Sequence, residues 1–120
     1  MLNEQTATRL DVQQNDSLQW LKIVDLQHYQ QSWEKASDYF QSQISQSDWV
    51  DAVSAVRSSI GELVSRDITM SKPVTPLSDA PEGEYNQCQY KSTFSQGEFI
   101  ETVTLLKENG DWKVVGYFVK

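Results

Sequence analysis

Residues 97–120 read GEFIETVTLLKENGDWKVVGYFVK, and the fold turns on this stretch. Asn109-Gly110 stands between the apolar pair Leu105-Leu106 and Trp112. A two-residue turn between antiparallel strands needs positive φ at both central positions, and Asn-Gly tolerates that readily. The stretch therefore reads as a hairpin, Glu98 to Glu108 against Trp112 to Val119. Gly97 turns back an earlier strand, Tyr85 to Ser95, in which Cys88, Tyr90 and Phe94 share a face. Pro73, Pro76 and Pro81 break the chain before it into a loop ending at Gly83. Before the loop, Val64, Arg66, Ile68 and Met70 alternate with Ser65, Asp67, Thr69 and Ser71, the period-two pattern of a first strand.

N-terminal to these strands the period changes to that of a helix. Trp49, Val53, Val56 and Ile60 form one stripe, opened by Ser45 with Asp48 as a capping box and closed at Gly61. Tyr29, Trp33 and Ala36 mark a short helix, and Tyr39, Phe40 and Ile44 supply another turn or two. Asp16 with Gln19 resembles a second capping box, ahead of Leu18, Trp20, Leu21, Ile23, Val24 and Leu26. A helix from about Asp16 to Leu26 follows, with residues 1–15 as a flexible or helical extension. Helices followed by four strands joined by short turns predict one α+β domain over 16–120: N-terminal helices packed on one face of a curved antiparallel sheet.

Composition bounds the function. Asp and Glu number 17 against 10 Lys and Arg, a net charge of −7, so phosphate is repelled and nucleic acid is not the expected partner. No apolar run approaches the roughly 18 residues of a membrane span, so membrane insertion is not expected. The chain holds one cysteine and one histidine, Cys88 and His28, which excludes an internal disulfide and a cysteine zinc site. The five glycines are scattered and build no phosphate loop, so neither metal nor cofactor is expected.

Two charges break their strand patterns. Arg66 shares a face with Val64, Ile68 and Met70, and Glu101 with Phe99, Val103 and Leu105. If those faces meet the helices, both charges point inward, where an isolated ion is costly and must be paired. The strands are next-but-one neighbours, roughly 10 Å apart, a gap that two long side chains can close. The pair reads as an ion pair fixing strand register, ahead of a catalytic centre with Glu101 as base and Arg66 as anion clamp. Arg57, at the edge of the Trp49 stripe, reads as a snorkelling surface arginine ahead of a third member. Asp25 and His28, three apart, are a general-base arrangement on paper, but a lone histidine at a helix junction reads first as a capping or solvent-facing residue. Cys88 reads as a small buried hydrophobe. Trp33, Tyr39, Trp49 and Tyr117 supply core volume or the lining of a ligand pocket, and with Arg66 and Glu101 they are the candidate binding residues.

Several pieces occur in a familiar order. They are Tyr29-x-x-x-Trp33 with Phe40, Trp49 with Arg57 and Gly61, Arg66, Pro81-x-Gly83-x-Tyr85, Glu101-Thr102-Val103-Thr104-Leu105, and Trp112-x-Val114-x-Gly116-Tyr117. The ordered set resembles the bacterial domain-of-unknown-function family 4019 over roughly residues 16–119. The resemblance implies a cone-shaped sheet wrapped around helices, like the nuclear transport factor 2 or cystatin-like superfold. It also implies an often exported, periplasmic protein, and it implies no activity. The expected function is a non-catalytic module that binds a small apolar ligand or a protein partner, as a homodimer through the exposed sheet face. On that face Ser65, Asp67, Thr69, Thr102 and Thr104 are joined by Ile100 and Leu106. The alternative is a small hydrolase or isomerase using Glu101 or Asp25 with arginine and tyrosine assistance.

Overall fold

A computed structural model describes residues 4–76 and 79–120. Four helices, α1 (Glu4–Asp25), α2 (Tyr29–Lys35), α3 (Asp38–Gln43) and α4 (Gln46–Ile60), precede four strands, β1 (Leu63–Val74), β2 (Tyr85–Phe94), β3 (Gly97–Glu108) and β4 (Asp111–Val119). The strands form one open antiparallel sheet in the order β1-β2-β3-β4. The molecule is therefore α+β, with its helices N-terminal to the sheet. Asn109 and Gly110 turn β3 into β4 with φ of 52° and 87°, the left-handed pair that the hairpin requires. Among the described residues, no helix is long and apolar enough to cross a membrane.

Helix α1 crosses all four strands and buries Trp20, Leu21 and Val24 against Tyr90, Val103, Leu105 and Val114. Its start differs from the Asp16 capping box, because α1 runs unbroken through Asp16. No Gly or Pro stands between Glu4 and Asp16, and a propagating helix adds residues at little cost once formed. Of the expected extension, residues 1–3 lie outside the described residues, as do 77 and 78 of the proline-bounded loop. Helix α4 starts as read: Ser45 Oγ accepts from the Asp48 amide at 3.1 Å. It ends at Gly61, with φ of 86°.

Three facial assignments need correction. On α4, Val56 is 40% exposed and Arg57 takes its place in the buried stripe with Trp49, Val53 and Ile60. Helical spacing permits either residue, and Arg57 turns in because an acid and an aromatic ring await it there. On β1, Val64 and Met70 leave the face of Arg66. The register skips between Leu63 and Ser65 and again between Ile68 and Met70, so β1 carries extra residues at two bulges. Ser71 then lies opposite Cys88 where alternation puts Met70, while Arg66 stays opposite Ser92 on the helix side. On β3, Leu106 is buried at 3% exposure rather than part of a free outer face. It pairs with Tyr85, and the Gly83 backbone closes over it: a Cβ on Gly83 would stand 3.2 Å from Leu106 Cδ1.

Candidate functional site

The helix side of the sheet holds four charges in line. Glu101 on β3 has no solvent exposure. Its Oε1 accepts from Arg66 Nε at 2.8 Å and from Ser92 Oγ at 2.6 Å, and its Oε2 accepts from the Tyr117 hydroxyl. Sheet register explains the convergence. Arg66 lies directly across from Ser92, Glu101 across from Tyr90, and Tyr117 two residues before Val119, the partner of Glu101 on β4.

The far end of Arg66 forks onto Asp25, with Nη1 to Oδ2 at 2.9 Å and Nη2 to Oδ1 at 3.0 Å, the planar match of guanidinium and carboxylate. Arg57 Nη2 donates to the same Oδ1 at 2.8 Å. The end of α1 sets the position of Asp25. The His28 amide donates to the Ile23 carbonyl and the Gln27 amide to that of Val24, with Gln27 at φ of 64°. That double closure is a Schellman end, with Asp25 in the last helical turn. A carboxylate there meets the negative end of the helix dipole, so the two arginines offset helix repulsion as well as burial.

Burial pushes the Asp25 carboxyl up, but hydrogen bonds from Arg66 and Arg57 and their positive charges outweigh it and hold it below its ordinary value of 3.8. For Arg66, burial disfavours the charge, and Asp25 and Glu101 more than restore it, so the guanidinium stays protonated. Burial, then the charge of Glu101, lifts the Tyr117 phenol well above its usual value and keeps it a donor. Nearby, burial pushes Tyr90 up to about 12, against the opposing hydrogen bond with Ser17.

Of the six candidate residues, the structure brings Arg66, Glu101 and Tyr117 together. Trp49 lies in the helical core, its indole N–H donating to Ser32 Oγ at 2.9 Å, and the Trp33 indole donates to the Ile44 carbonyl at 2.9 Å. Tyr39 stands apart, on a depression of about 390 Å³ with Val74, Tyr85 and Gly116. His28 is exposed at the start of α2, and its side chain makes no cap hydrogen bond there. Cys88 is fully buried. Arg57 corrects the surface reading: it is 7% exposed, bonded to Asp25, and its guanidinium carbon sits 5.0 Å from the Phe94 ring centre. Asp25, Arg57 and Ser92 complete the group; Asp25 and Arg57 were weighed in the sequence only as second readings, and Ser92 was missed.

A half-enclosed cavity of about 620 Å³ opens at the Asp25–Arg57 end, between α1, α4 and the start of β1. Glu101 is not among its lining residues. The family model for DUF4019, a protein family of unknown function, matches residues 16–117. The chain belongs to this family. The matched span of the DUF4019 chain includes Asp25, Arg57, Arg66, Ser92, Glu101 and Tyr117. No curated protein matches the chain.

Proposed function

We propose that this DUF4019 domain is a non-catalytic binding module whose buried charges hold the sheet to the helices. The observation that carries the reading is the state of Glu101: it has no exposure, and both oxygens already accept hydrogen bonds. A general base must reach the proton it removes, directly or through one water. Glu101 does not line the 620 Å³ cavity, and its partners Arg66, Ser92 and Tyr117 surround its carboxylate. Asp25 does line the cavity, but two arginines lower its basicity.

The meander sheet crossed by α1 supports a cone of the nuclear transport factor 2 or cystatin-like type. The family supports a bacterial, exported setting. The outer sheet face supports self-association: Phe118 is 60% exposed there, in one row with Thr102, Gln89 and Met70, and Ile100 lies on the same face. Sedimentation at micromolar concentration checks the dimer, and a monomer at every concentration ends that part.

The catalytic alternative has a direct test. Hydrolysis of p-nitrophenyl acetate is followed with the wild-type chain and with Glu101→Gln at equal folded concentration. Equal rates are expected. A wild-type rate that collapses in Glu101→Gln overturns the non-catalytic reading.

A further inference from the structure

From Glu101 outward the charges alternate: Glu101, Arg66, Asp25, Arg57. The series stops on a cation. Arg57 commits Nη2 to Asp25, while its buried Nε and Nη1 have no hydrogen-bond partner among the described residues. Buried donors of a charged group are normally satisfied, and each exception asks for an explanation. The ring of Phe94 faces the guanidinium but offers no lone pair. Arg57 also contributes to the wall of the 620 Å³ cavity, together with Val24, Asp25, Tyr29, Ser54 and Leu63.

We propose that this cavity binds a small monocarboxylate whose oxygen accepts from Arg57, extending the alternation by one negative charge. The inference rests on the binding-module reading and names its ligand class. Guanidinium is the side chain best suited to carboxylate recognition. The two spare nitrogens lie on different edges of the guanidinium plane, so the ligand contributes one oxygen beside Asp25 rather than a two-pronged fork. Asp25 and Glu62 also stand on the wall, and the chain carries a net charge of −7. A doubly charged phosphate or sulfate is therefore opposed more strongly than a single carboxylate. Tyr29 and Leu63, both half-buried, offer contact to an apolar or aromatic body. Both nitrogens lie beneath the wall surface, so the ligand parts the wall to reach them, and its affinity is accordingly modest.

Benzoate titrated into the ¹⁵N-labelled full chain tests the proposal, read at the Arg57 Nε–H signal and at the Ser58 and Gly61 amides. Saturable shifts are expected with benzoate and none with sulfate at matched ionic strength. Arg57→Met is expected to abolish the response. Because that variant also disturbs the ion pairs, Ser54→Trp, which fills the cavity from α4, serves as the second. It is expected to weaken benzoate binding at least about tenfold with the melting temperature kept. Linear shifts, equal shifts with sulfate, or undiminished binding to Ser54→Trp overturn the proposal. The ester-hydrolysis comparison decides the non-catalytic reading separately, so loss of the benzoate site leaves that reading standing.

Discussion

The two ends of the charge series contain the same kinds of groups and are finished differently. At the inner end, Glu101 is enclosed by Arg66, Ser92 and Tyr117, and each partner comes from a different strand of the sheet. At the outer end, Asp25 and Arg57 come from helices, their side chains are 18% and 6% exposed, and Arg57 retains two donors without partners among the described residues. Strand register fixes an inner group closely, because its neighbours are locked by backbone ladders. Helix ends fix an outer group less closely and leave a cavity beside it. A buried polar cluster is thus a structural device where every donor and each carboxylate oxygen has a partner, and a recognition site where the matching stops short.

Arg66→Met should separate the ends most sharply. It removes the arginine paired with Glu101 and leaves Asp25 with Arg57 alone, and breaking a buried pair from one side costs about 3–5 kcal/mol. Urea unfolding should show that loss, and Arg66→Met with Glu101→Gln should cost clearly less than the sum of the single changes. Additive costs would mean that the inner end is not one unit. Arg57→Met comes next. Asp25 keeps its fork to Arg66, so the loss is about that of one hydrogen bond to a charged group, roughly 1.5–3 kcal/mol. A cost equal to that of Arg66→Met would erase the distinction between the ends.

Gly61→Ala tests the cavity side alone. Its φ of 86° disfavours a Cβ, which would stand 1.9 Å from Ser95 Oγ, and that oxygen already accepts from the Glu62 amide at 3.0 Å. With ψ of −157° this is a region essentially confined to glycine, which costs another residue about 1–3 kcal/mol; the melting temperature should fall while the added cost of Arg66→Met on that background stays unchanged.

The smallest effect is expected in acid. The folded value of Asp25 lies below its ordinary 3.8, so its contribution is fully present above that pH and is lost as pH falls through the folded value. The stability difference between the wild type and Asp25→Asn should therefore shrink below pH 3.8 and stay level at neutral pH. A difference that changes near neutrality would show that Asp25 is not held by its arginines.

The sheet was legible because its signals are local: Asn109-Gly110, the period of two, and Pro76 and Pro81 before β2; Pro73, read as part of the same break, lies instead within the edge strand β1, opposite Asn86. Arg66 and Glu101 were legible as charges on apolar faces. The others were not, for separate reasons. Asp25 was legible only as a base beside His28, because nothing local tells that two arginines distant in sequence meet it at the end of α1. Arg57 was weighed as a third member but ranked behind a surface reading, because helical spacing offers Val56 as the obvious core residue. Ser92 and the hydroxyl of Tyr117 acquire a role only once register places them beside Glu101. The two bulges of β1 leave no signal of their own, so Val64 and Met70 were assigned to the wrong face while Arg66, between them, was assigned correctly.

Ser32 links two of the four tryptophans: its carbonyl accepts from the Trp20 indole and its hydroxyl from that of Trp49, each at 2.9 Å. The ring centres are 6.1 Å apart and tilted by 39°. At that separation the electronic transitions of the indoles mix, and a skewed pair absorbs left- and right-circularly polarised light unequally. The protein thus carries an internal optical reporter of how α1 lies on α4, a paired positive and negative band in circular dichroism that Trp20→Phe should erase. Because α1 also carries Asp25 and α4 carries Arg57, the same bands register any shift between the helices that flank the cavity, without a label being attached.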